Sequence, residues 1–143
     1  REDAFMTPIE PDGWSKPIGY SNGILTPAGR LLFVAGQVGW NEKQKFESAE
    51  LIPQFAQALK NVLAVVRKAG GNAEHICRMT CFCVDKDAYL AARPQLGGIW
   101  RELMGRSYPA MSMLFVTALL DSPGMIEIEA TAVIPGPPER GGS

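Results

Sequence analysis

Two carboxylates, Glu127 and Glu129, stand two residues apart in a segment that alternates strictly. Over residues 125–133, Ile126, Ile128, Ala130 and Ala132 point one way while Met125, Glu127, Glu129 and Thr131 point the other. A strand of this pattern buries one face and shows its acids on the other. Carboxylates accept protons, so the chemistry open to this pair depends on what that face looks out at. On pattern alone it reads as a solvated strand face. The other chemically interesting residues offer less. Three cysteines, Cys77, Cys81 and Cys83, fall within one short run. Ligands on a single strand with no second cluster cannot close a tetrahedron around zinc, and an odd count is not a disulfide framework. They read as small buried hydrophobes. The single histidine, His75, follows Gly70-Gly71-Asn72 and reads as a solvated loop residue. There is no Ser-His-Asp set and no Gly-rich phosphate loop carrying a lysine.

These residues need elements to hold them. Residues 111–120 form a second apolar run, separated from the alternating one by Asp121-Ser122-Pro123-Gly124. Each of those four types favours a turn, so the two runs are expected to form a β-hairpin. Leu51, Ile52, Phe55, Leu59, Val62, Leu63 and Val66 recur at three- and four-residue spacing and predict a helix. It should start near residues 49–52, because Pro53 is tolerated only in a first turn. Gly70-Gly71 should end it. Residues 18–24 read as a short strand broken by glycine. Residues 31–38 read as a strand buried on both faces, and residues 76–84 as another. A second helical region spans 85–106. Proline disfavours helical backbone at the residue before it, so Pro94 predicts a kink, or a short turn followed by a helix from 94 to 103.

The order β-β-α-β-α-β-β predicts an α+β fold: a single-layer mixed sheet with both helices on one face. Leu32, Val34, Met111, Met113 and Phe115 are too many for two helices to cover, and an uncovered apolar sheet face implies oligomerisation. Residues 1–16 read as an irregular lead-in, 17–134 as the domain and 135–143 as a loose tail. The 143 residues suffice for one domain with its own core. A net charge of −1 argues against a broad nucleic-acid surface, which needs many Lys and Arg. No run is long enough to span a membrane and no leader pattern opens the chain, so a cytoplasmic protein is expected.

Several pieces, in order, resemble the RidA/YjgF family, whose members are described as reactive-intermediate deaminases or, in older usage, as endoribonucleases or translation inhibitors. They are Ile18-Gly19-Tyr20 with Gly23, Val34-Ala35-Gly36-Gln37, the run from Gln57 to Gly70, Asp85 with Tyr89, Tyr108-Pro109-Ala110, and Ile126-Glu127-Ile128-Glu129-Ala130. The resemblance spans about residues 17 to 134. It implies a chorismate-mutase-like homotrimer whose sheets form a central barrel. It also implies inter-subunit clefts that take a small molecule, and hydrolysis of enamines or imines to a keto acid and ammonia without a cofactor. Glu127 matches the glutamate that holds the attacking water, and Tyr20 a tyrosine at the cleft. Ala35 and Gly36 match substrate-binding positions of the cleft, where members often carry serine before the glycine.

This chain departs from the pattern at one important place. Deaminating members carry an arginine straight after Pro-Ala, where this chain has Met111. That arginine grips the substrate carboxylate bidentately, which a thioether cannot do. Loss of such a clamp should cost several kcal/mol of binding to a small 2-imino acid. Arg93 stands where members often have asparagine near the cleft and is a candidate replacement contact. Met111 and Met113 would give an apolar lining. The expectation is a Rid-type hydrolase for an enamine or imine other than simple 2-aminoacrylate. The alternative is a trimer that binds small molecules without catalysis.

Overall fold

The structure, a computed structural model, describes residues 5–136. Most of the loose tail expected from residue 135 onward lies outside the described residues. Among the described residues, six strands and two long helices occur in the order β1 (Thr7–Ile9), β2 (Gly23–Leu25), β3 (Arg30–Val38), α1 (Leu51–Lys68), β4 (Ile76–Cys83), α2 (Lys86–Met104), β5 (Ala110–Phe115) and β6 (Ile126–Ile134), with a short 3-10 turn at Ala73–His75. β3, β6, β4 and β5 form one mixed sheet in that spatial order, and β1 pairs with β2 in a separate ribbon. Both helices pack on one face of the larger sheet, the expected α+β arrangement.

α1 follows its sequence signals. Pro53 sits in the first turn, Arg67 and Lys68 sit in the last where they favour the helix dipole, and Gly70 takes a positive φ of 96° just beyond. Its stripe from Phe55 to Val66 meets Val34, Met79, Cys81, Ile126 and Ile128 in a single cluster with Leu96, Trp100 and Met104 of α2. Asn61 ties α1 to the end of β3, its Nδ2 donating to the carbonyls of Val38 and Trp40 at 3.1 and 2.7 Å. On β6 the alternation holds: Ile126, Ile128, Ala130 and Ala132 are buried beneath the helices.

Several expectations are corrected. Residues 110–115 and 126–134 do not form a hairpin. β4 lies between them, parallel to β5 and antiparallel to β6. The turn at 121–124 is real, with Gly124 N–H donating to the Asp121 carbonyl at 2.8 Å. It belongs to a longer connection that crosses an intervening strand. Gln54 anchors that connection from the buried side of α1: its Oε1 accepts from Met125 N–H at 2.6 Å, and its Nε2 donates to the carbonyls of Ser48 and Pro123. α2 is one helix across Pro94. The missing N–H frees the carbonyl four residues back, at Leu90, on an exposed turn where water can satisfy it. The lead-in contributes β1, which draws the first strand of the domain to residues 23–25 rather than 18–24. β3 is buried on one face only, since Leu31 and Phe33 are exposed. The apolar set left open is also different from the expected one. Val34, Met111 and Met113 lie on the helix side, while Leu31, Phe33 and Leu114 face away from it. His75 is buried rather than solvated; its Nδ1 accepts from Asn72 N–H at 2.8 Å and closes the 3-10 turn.

Candidate functional site

The loop before β2 is fastened to the start of β5. Ser21 N–H donates to the Pro109 carbonyl at 3.1 Å, and Ser21 Oγ donates to the Tyr108 carbonyl at 2.6 Å. This brings Tyr20 alongside the strand that carries Met111 and Met113. Asp85 caps α2, accepting from Ala88 N–H at 3.0 Å, and so fixes where the helix crosses that strand. Tyr89, Arg93, Gly97 and Arg101 recur every four residues along α2 and therefore share a face. Together these elements surround a cavity of about 420 Å³, with Phe55, Cys81, Leu96 and Trp100 among its inner lining.

Its electrostatics are one-sided. Arg93 and Arg101 both line the cavity, and among the described residues no Asp or Glu does. Burial pushes the Cys81 thiol up to about 12, with neighbouring Cys83 adding to the shift. The thiol is thus neutral and is no nucleophile at physiological pH. Burial also raises the Tyr89 phenol, Cys81 adds to this, and the Arg93 guanidinium opposes it. Tyr89 therefore keeps its proton and can donate a hydrogen bond. Trp100 stacks on Tyr108 with ring centroids 6.1 Å apart, and its Nε1 donates to the Ser107 carbonyl at 3.1 Å, which fixes the inner wall.

The candidate residues fall into two groups. Tyr20, Arg93, Met111 and Met113 line this cavity. Glu127, Ala35 and Gly36 do not. They form a second group, in which a Cβ on Gly36 would run into the Glu127 carboxylate, so glycine is what lets that side chain lie along β3. The β3–β6 register slips between Val34 and Gln37, a bulge that sets Ala35 and Gly36 apart from the regular ladder. β6 alternation turns Glu127 to the face opposite the helices, whereas Met111 and Met113 face the helix side. Tyr20 and Glu127, expected to act together, are therefore not brought together within one chain. Glu129 is exposed in a shallow depression with Phe33, Arg78 and Thr80.

With that geometry in view, comparison with known proteins is decisive about kinship. The family profile described as Endoribonuclease L-PSP matches residues 15–134. A RutC family protein of Pasteurella multocida is 34 % identical over 105 residues, covering 73 % of this chain and 81 % of that protein. The Escherichia coli protein named 2-iminobutanoate/2-iminopropanoate deaminase is 31 % identical over 105 residues, covering 73 % and 80 %. A Rid-family protein of unknown function from Yersinia pestis has a solved structure that superposes with a TM-score of 0.80 at 32 % identity, covering 91 % of this chain and 99 % of that one. This chain belongs to the RidA/YjgF family.

Within this Rid protein, sequence reasoning missed Tyr89 as a lining residue, and also Trp100, Arg101 and Tyr108. The four-residue recurrence of Tyr89, Arg93, Gly97 and Arg101 was a readable signal, obscured by the expectation that Pro94 would break the helix. Gln54 had a signal too, as one polar residue inside the apolar stripe of α1. Among the described residues no group of three or more His, Cys, Asp or Glu side chains could hold a metal ion, and no helix is long and apolar enough to cross a membrane.

Proposed function

We propose that this Rid-family protein hydrolyses an enamine or imine larger than the simple 2-imino acids. The cation that meets the substrate's anionic group would be Arg93 on α2 instead of an arginine at position 111. The observation that carries this reading is the shared lining of one cleft by Tyr20, Arg93, Met111 and Met113. An enamine becomes an imine by protonation at carbon, and water then adds to the imine carbon. Glu127 would accept that water's proton and return it to the leaving nitrogen, so that ammonia departs and a carbonyl remains. Tyr20 would orient the substrate through its hydroxyl. Nothing in these steps is oxidised or reduced, so no cofactor is required.

Because Glu127 and the cleft lie on opposite faces of the sheet, the site would be completed between copies. In a homotrimer, one copy supplies the Tyr20–Arg93–Met111 wall and its neighbour supplies Glu127 with Ala35 and Gly36. The exposed apolar groups Leu31, Phe33 and Leu114 on the open sheet face support such an assembly. Three free thiols support a reducing, cytoplasmic setting. Net charge and the lack of a basic run support a small-molecule role over an RNA-binding one.

The test is consumption of imines generated in solution by an amino-acid oxidase, over a range of side-chain sizes. Larger imines should disappear faster than in buffer, and Glu127→Gln should slow them by about 10²–10⁴-fold. The methionine at position 111 favours a second reading, a trimer that binds small molecules without turnover. No acceleration for any imine, together with ligand-induced thermal stabilisation, would replace the first reading with that one.

A further inference from the structure

The cleft has two cations, and only one is needed for a monoanionic substrate. We infer that it takes a dianionic ligand: an apolar body with a carboxylate at one end, held by Arg93, and a second anionic group at the other, held by Arg101. This rests on the proposed imine chemistry only for the nature of the reacting group; the binding prediction stands apart from it.

Arg93 and Arg101 are eight residues apart on one face of α2, two turns and about 12 Å along the axis. Between them stands Gly97, whose own lack of a side chain leaves that stretch of wall open. The Arg101 guanidinium folds back along the helix, its Nη1 lying 3.6 Å from the place a Cβ on Gly97 would occupy. The Arg93 guanidinium is near enough to Tyr89 to act on its phenol. The Arg101 charge thus sits beside Gly97, and the Arg93 charge acts toward Tyr89. Leu96, Trp100, Met111 and Met113 give the same cavity an apolar lining. No carboxylate among the described lining residues neutralises either guanidinium. Two like charges facing an apolar cavity repel one another and focus a positive potential there, which an anion at each end relieves. The cavity of about 420 Å³ is far larger than a three- or four-carbon imino acid, which would leave most of it unfilled.

The experiment is titration calorimetry of the intact protein with straight-chain α,ω-dicarboxylates of four to eight carbons, each paired with the monocarboxylate of equal length. One chain length should bind roughly tenfold or more tightly than its monoanionic partner, the worth of one charge-assisted hydrogen bond. Arg101→Gln should erase that preference by lowering dicarboxylate affinity to the monocarboxylate level, whereas Arg93→Gln should weaken both. Both side chains are exposed, so neither variant threatens the fold. Equal affinity for mono- and dianions at every length overturns the inference, as does an unaltered preference in Arg101→Gln. Imine turnover is scored separately, with the oxidase products of 2-aminoadipate and 2-aminobutyrate. A dianion preference in binding without any turnover would sustain the subsite and sink the hydrolase, while turnover of both imines at equal rates without a binding preference would do the reverse.

Discussion

The two faces of the four-stranded sheet are built from the same strands and end in opposite conditions. Beneath the helices, Met79, Cys81, Ile126 and Ile128 are wholly closed to water. On the other side Phe33 is 73 % exposed and Leu31 62 %. The first face is completed by the chain itself, because α1 and α2 bring enough apolar surface to seal it. Among the described residues no element covers the second, yet it carries large hydrophobes and Glu127. One strand, β6, therefore faces two ways: Ile126, Ile128, Ala130 and Ala132 pack under the helices, while Glu127, Glu129 and Thr131 lie on the open side. The candidate site divides along the same line, with the cation-lined cleft on the helix side and the carboxylate on the open side.

That contrast can be broken most forcefully by mutation on each face in turn. Leu59→Ala removes a wholly buried side chain from the covered face and should destabilise the protein by about 2–5 kcal/mol in urea unfolding. Phe33→Asp on the open face should alter the stability of a single chain by only about 0.5 kcal/mol but, if the proposed trimer forms through this face, yield monomers in sedimentation. Comparable losses of chain stability from both changes would show that the two faces are not distinct.

A second test asks how dry the covered face is where it floors the cleft. The Cys81 thiol, ordinarily near 9.0, is pushed up to about 12 by burial. Below pH 9 the thiol is protonated in both folded and unfolded chains, and its stabilisation is fully present. As pH rises toward 12 the unfolded chain ionises while the folded one does not, so stability falls. The slope is about 1.4 kcal/mol per pH unit, on the order of 4 kcal/mol in all. Urea midpoints between pH 8 and 11 should decline accordingly. Cys81→Ala should flatten the decline but not abolish it, because burial also raises Cys77, Cys83 and Tyr89. An unchanged slope would mean that water reaches the floor.

How much of this was legible from sequence depends on the range of the signal. The α1 stripe and the β6 alternation are local periodicities; what they named is buried except Ile52, which is half-buried, while the α1 stripe left out the buried Gln54 and Ala58. The pairing of β5 was not legible. Asp121-Ser122-Pro123-Gly124 encodes a turn, but nothing within residues 108–133 records that β4 will occupy the place between the two strands. The same holds for the open face. Phe33 and Val34 are neighbours of similar character, and only the position of the helices decides which is covered. Family resemblance supplied Tyr20, Glu127 and the departure at Met111. It could not reveal that Arg101 shares the cleft, since that follows from α2 running unbroken through Pro94.

The smallest expected effect bears on how the cleft half differs from that of deaminating relatives. Met111 is partly buried on β5 and lines the same cavity as Arg93. Met111→Arg would set a guanidinium on the β5 wall of the cleft, at the position where the family resemblance places one. Turnover of 2-iminopropanoate should then rise about tenfold, the worth of one charge-assisted contact. The added cation would also crowd Arg93, so larger dianionic substrates should lose part of their advantage rather than share the gain. A rise for short and long substrates alike would mean that the arginines of α2 contribute nothing to selection. No rise for either would mean that the difference from the deaminating relatives lies in the other half of the site, around Gly36 and Glu127.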